Sequence, residues 1–227
     1  MAHRRGAFFL RVRGAAIAGM IGPALFAFVV VALTAVQYDF MIGIGWQPLE
    51  DPAGAWPSGL ALGPYGWAQS LNFAVSGPLL VVFAAGLHRG MAGGSMMGPA
   101  LLVLAGVAMT LLAFETDPIV RTGPRTLHGW VHDLAFILLI VSLAPAFFSL
   151  WRRMKRDPLW RDHARYTLIT GLLVIPLFLL PGPTYYLSLA LILTWLEVLA
   201  IRLWTVAGRR PAPSRSSATG RKPDTDL

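Results

Sequence analysis

The sequence predicts an all-α, polytopic membrane protein: a bundle of six transmembrane helices with the N- and C-termini in the cytoplasm. Three observations carry that expectation. Of the 227 residues, 56% are hydrophobic and only 13% charged, with a mean hydropathy of +0.60, whereas a soluble domain carries about 25% charged residues. The apolar residues fall in runs near the roughly 20 that cross a hydrocarbon layer as helix. Lys and Arg lie almost entirely on one side of the alternating loops, the asymmetry that orients such proteins.

The same composition removes several function classes. Cys is absent, which excludes disulfides, thiolate metal sites and haem attached through Cys. A net charge of +8 would suggest nucleic acid in a soluble chain. Here the positive residues flank apolar runs, so membrane lipids and not nucleic acid are the expected partners. No G-x-S-x-G, P-loop or G-x-G-x-x-G pattern supports a serine hydrolase or a nucleotide site.

Residues 1–13 carry four arginines and form a basic cytoplasmic N-terminus. The apolar run 14–36 is longer than the core of a cleaved signal peptide and fits an uncleaved span. Residues 37–65 form a loop whose spaced Pro and Gly argue against regular structure. Its Trp46, Trp56 and Tyr65, with the adjoining Trp67, suit the aromatic belt at the membrane surface. Span two covers 67–87. The Gly-rich turn at 90–95 makes span three, 96–114, its antiparallel neighbour. Span four covers 127–148 and is followed by a basic, Trp-containing connector. Span five, 166–180, is interrupted by Pro176. Pro181-Gly182-Pro183 turns the chain into span six, 184–204. The membrane domain is then 14–206, and the Pro-, Ser- and Arg-rich tail, 207–227, is expected to stay disordered.

Every Lys and Arg except Arg121 and Arg125 falls on the side of the N-terminus. The expectation is a multi-pass plasma-membrane protein with residues 114–133 facing outward. This stretch is the most chemically loaded part of the chain. It holds Glu115, Asp117, Arg121, Arg125, His128, His132 and Asp133. Charge so close to hydrocarbon is costly unless paired or used.

Gln69, Asn72 and Ser76 recur at i, i+3 and i+7, on one face of span two and in its outer half. With His128, His132 and Asp133 in span four, they predict an outward-facing polar pocket between spans two, three and four. Such a pocket would bind or move a small molecule or a lipid. The bland reading has the same groups bonded to one another, locking the bundle. The sharper alternative is a metal-dependent membrane hydrolase acting on a lipid at the outer leaflet. In that reading His128 and His132, with Asp117 and Asp133, hold a divalent metal such as zinc, Glu115 being a further candidate. Arg121 or Arg125 would then hold an anionic group.

Haem is not expected. His88 ends span two on the inner side, His128 and His132 lie outside, and His3 and His163 belong to cytoplasmic segments. Glu197 stands apart in the inner half of span six, about 10 Å below Asp133 at 1.5 Å per residue. It would pair with a basic residue of the inner connector or rest in a helix contact, with a proton relay as the functional alternative.

The segments GWAQSLNFAVSGPLLVVFAAGLHR (66–89), FETDP (114–118) and TLHGWVHDLAF (126–136) resemble a bacterial and archaeal membrane family known as domain of unknown function 998. The resemblance implies six spans and an extended first outer loop, and it supplies no reaction. Where that loop usually begins Tyr-Asp-Pro in the family, this chain has Tyr38-Asp39-Phe40.

Overall fold

A computed structural model describes residues 2–50, 55–120, 122–180 and 184–208. Arg121, the turn at 181–183 and the tail beyond Gly208 lie outside the described residues. Helix is the only regular structure among them: α1 (Ala2–Val36), α2 (Tyr38–Gly43), a 3₁₀ turn (Pro57–Leu62), α3 (Gly66–Gly90), α4 (Met97–Leu111), α5 (Leu127–Met154), α6 (Arg161–Leu179) and α7 (Thr184–Ala207). Among the described residues four helices are long and apolar enough to cross a membrane: α1 over Phe8–Val36, α3, α5 and α7. The chain is a membrane protein built from them. Helix α4 has 15 residues. Helix α6 opens on Arg161, Asp162, His163 and Arg165 before its apolar part begins.

Each long helix packs on the next in an antiparallel ring, in the order α1, α3, α4, α5, α6, α7 and back to α1. Small residues set the closest crossing. A Cβ added to Gly77 of α3 would lie 2.5 Å from the carbonyl oxygen of Gly106 in α4. One added to Gly106 would lie 2.8 Å from that of Gly77, so the two backbones touch. Close backbone approach of this kind is how helices associate where lipid removes the hydrophobic drive between them.

Two expectations change. The first helix runs unbroken from Ala2, and the end of the basic segment is docked: the Arg13 guanidinium stacks 4.2 Å from the Phe9 ring and 4.4 Å from Trp204 of α7. The first loop is also folded, with α2 and the 3₁₀ turn inside it. Gln37 stitches it, donating to the Leu60 carbonyl at 2.8 Å and accepting from the Tyr65 N–H at 3.1 Å. Met41, Trp46 and Leu60 form a small buried core there. Trp46 is therefore interior, its indole N–H on the Trp56 carbonyl at 2.9 Å, and it is not a membrane-surface residue.

The ring is solid at the end where α1 and α4 begin. Phe83, Phe147, Leu150, Met154, Trp160, Trp195 and Leu199 fill it, all fully buried. Toward the first-loop end the filling stops and the ring is hollow.

Candidate functional site

The start of α5 is fastened by the residues that stood out in the sequence. The Asp117 carboxylate accepts from the Thr126 hydroxyl at 2.7 Å and from its backbone N–H at 3.2 Å. Thr126 is the N-cap of α5, its hydroxyl accepting from Gly129 N–H at 3.0 Å. A Cβ on Gly129 would collide with that carboxylate. Asp-Pro and Thr-x-x-Gly thus form one capping device, which satisfies donors that a helix N-terminus leaves open.

One turn on, His132 is buried and its Nδ1 lies 2.8 Å from the Phe114 carbonyl. A carbonyl only accepts, so Nδ1 carries the proton and Nε2 keeps its lone pair. His128 is exposed, its ring edge-on to Phe114 at 5.5 Å. Arg125 folds back along the helix to form an ion pair with Asp133 and lies over the Trp130 ring at 4.9 Å. Glu115 is exposed.

The span-two stripe is a buried ladder. Ser76 donates to Asn72 at 3.3 Å, and Asn72 donates to Gln69 at 3.3 Å and to the Phe26 carbonyl of α1 at 3.4 Å. Gln69 is fully buried, and its Nε2 finds no hydrogen-bond partner among the described residues. Most of this stripe therefore bonds within itself and to α1.

The predicted polar groups do not form one pocket. The hollow of the ring is an apolar cavity of about 130 Å³. Its walls come from α1, α3, α4, α5 and α7, with Phe83, Leu80, Leu143 and Leu196 among the deeper residues. Of the nine predicted site residues that are described, only Ser76 and His132 reach it. A separate polar depression is lined by Thr116, Asp117, Arg125 and Asp133. Trp56 and Ser58 of the first loop line both spaces. Trp56 also meets Tyr185 at 4.4 Å, Phe136 at 5.0 Å and Phe178 at 5.8 Å, an aromatic cluster from the loop, α5, α6 and α7. Beyond it the cavity continues between α5, α6 and α7, sharing Phe136, Leu139, Leu143, Tyr185, Leu189 and Ile192 with a second apolar hollow.

The donor set does not fit a metal. Among the described residues no three His, Asp or Glu side chains gather as ligands. His132 spends Nδ1 on Phe114, Asp133 is paired with Arg125, and Asp117 caps α5. Glu197 is half-buried and faces the backbone of Ala24 in α1, next to Pro23.

Sequence reasoning missed a second polar centre at the far end of the ring. Arg153 is 5% exposed and donates to the carbonyls of His88, Met91 and Ser95 at 2.9, 3.1 and 3.2 Å. Trp160 donates to the Gly90 carbonyl at 3.0 Å, and Asp157 accepts from Ala92 N–H at 2.7 Å. The end of α3 and the turn after it are thus capped from the end of α5 and the α5–α6 connector. The only signal was a pair of acids, Asp157 and Asp162, among the connector's cations. Nearby, burial lowers the His163 pKa, the Arg202 guanidinium lowers it further, and Asp162 opposes both.

The family model described as Protein of unknown function (DUF998) matches residues 20–210, and the chain belongs to that family. No curated protein and no solved structure matches it.

Proposed function

We propose that this DUF998 member binds an amphiphilic lipid in the membrane, drawing its apolar chain into the hollow of the ring and keeping its polar head at the Trp56–Ser58 mouth. One observation carries the reading. An apolar cavity and a polar depression meet at a single loop segment, so one molecule with a greasy end and a polar end would satisfy both. Ser76 and the Nε2 of His132 supply isolated polar contacts inside an otherwise apolar wall. Arg125 and Asp133, about a third exposed, offer charge of both signs to a head group outside it.

The reading takes six crossings with both termini cytoplasmic, in the plasma membrane. The short helices support it by what they present outward. Leu104 and Val107 of α4 and Ile169, Leu172 and Leu173 of α6 are exposed on the ring's outer face, as lipid-facing residues would be. The Lys and Arg asymmetry supplies the direction.

The test is lipid content. Full-length protein purified in mild detergent is expected to carry a stoichiometric amphiphile, measured by extraction and mass spectrometry. Leu189→Trp, which fills the cavity where its two lobes join, should at least halve that content without lowering the unfolding temperature. Equal lipid in a folded Leu189→Trp protein would sink the proposal.

A further inference from the structure

We propose that the opposite end of the ring carries a phosphate-binding pocket, built by Arg152 and Arg156 against the Gly-rich turn between α3 and α4. A concavity of about 520 Å³ opens there, lined by Gly94, Ser95, Ser149, Arg152, Arg153 and Arg156 among others. Among the described residues its charged lining is entirely cationic. The nearest carboxylate in sequence, Asp157, is buried and accepts from the backbone N–H groups of Ala92 and Leu159 at 2.7 and 3.0 Å. Arg153 is committed to α3 carbonyls and fixes the turn. Gly93 and Gly94 take positive φ, 22° and 100°, a conformation that lets the turn bend tightly beside it.

Arg152 and Arg156 differ from Arg153. Both are exposed, and their side chains make no hydrogen bond or ion pair among the described residues. They stand four residues apart and line the same concavity. Two guanidinium forks converging on one hollow, with the Ser149 hydroxyl between α5 and the turn, match the geometry of phosphate oxygens. Met97 in its lining is 57% exposed, an apolar border suited to the chain of a phospholipid. The ligand chemistry is therefore an anionic phosphate group, borne by a lipid head group or free in solution. This site is independent of what fills the cavity at the other end.

The experiment uses the full chain in detergent. Native mass spectrometry counts retained phosphatidylglycerol against phosphatidylcholine, and thermal unfolding is followed with inorganic phosphate at constant ionic strength. Three proteins are compared: wild type, Arg152→Gln/Arg156→Gln, and Lys155→Gln. Lys155 lies over the Trp151 ring and not in the pocket, so its loss controls for bulk charge. Wild type should prefer phosphatidylglycerol, and the double variant should lose about tenfold in its retention, the weight of one charge-assisted hydrogen bond. Lys155→Gln should stay near wild type. Stabilisation of wild type but not of the double variant by inorganic phosphate would support the site with free phosphate as its source. A folded double variant that retains phosphatidylglycerol and responds to phosphate like wild type overturns the proposal. So does an equal loss in Lys155→Gln.

Discussion

The Thr126 hydroxyl donates to the Asp117 carboxylate at 2.7 Å, and Gly129 leaves the space that this bond needs. A prediction follows from the crowding. Asp117→Ala and Thr126→Ala should each lower the unfolding free energy by about 1 kcal/mol, the usual weight of a cap. The double variant should lose less than the sum, because the two side chains share one interaction. Gly129→Ala should be damaging in wild type and nearly harmless beside Asp117→Ala, where the clashing carboxylate is gone. Denaturation in detergent micelles measures all five variants. Full additivity would mean that the three residues act separately.

His163 sets a pH dependence. Burial and Arg202 hold its folded pKa below the ordinary 6.5, so the unfolded chain takes up a proton first as pH falls. Its stabilising contribution is present above pH 6.5 and is lost as pH drops from there through the folded pKa. His163→Gln cannot titrate. The variant's unfolding temperature should therefore fall less than that of wild type between pH 7.5 and 5.5, as followed by a thermal scan at each pH. Parallel curves would show that the imidazole does not carry the effect.

Topology can be read with single cysteines, since the native chain has none. Ala92, Gly123, Lys155 and Leu180 are exposed, and they bracket α4, α5 and α6 in turn. Six crossings with cytoplasmic termini predict that a membrane-impermeant maleimide reaches Cys at 123 and 180 in intact cells. It should reach Cys at 92 and 155 only after permeabilisation. Labelling of 92 and 123 from the same side would mean that the 15-residue α4 does not cross.

Most of the helical order was legible because apolar runs are long and interrupted by charge or by Gly and Pro. The starts of α3, α5 and α7 fall within a residue of expectation. The first loop was not legible. Its two short helices are held by Gln37 and by the burial of Met41, Trp46 and Leu60, which are tertiary causes with no periodic trace. The polar stripe of α3 was visible from spacing alone. The cavity was not, since Leu139 or Leu189 lining a hollow looks the same in sequence as Leu150 filling a core. Arg153 was hidden differently. Counting cations for orientation gives each the same weight, and the buried one is indistinguishable from Arg152 beside it.

That difference between neighbours is itself testable. Arg153 replaces the water that the last carbonyls of α3 would otherwise need, and its positive charge sits at the helix C-terminus, where the dipole favours it. Arg153→Met would leave the carbonyls of His88, Met91 and Ser95 without that donor, at a cost of at least ~3 kcal/mol for buried acceptors. Arg153→Lys should recover only part, because a single ammonium cannot span the three oxygens that the fork reaches. Arg152→Met, on an exposed side chain, should stay within ~0.5 kcal/mol of wild type. Chemical denaturation of the purified proteins separates the cases. Equal losses from Arg152→Met and Arg153→Met would mean that total charge, and not the capping of α3, holds this end of the ring together.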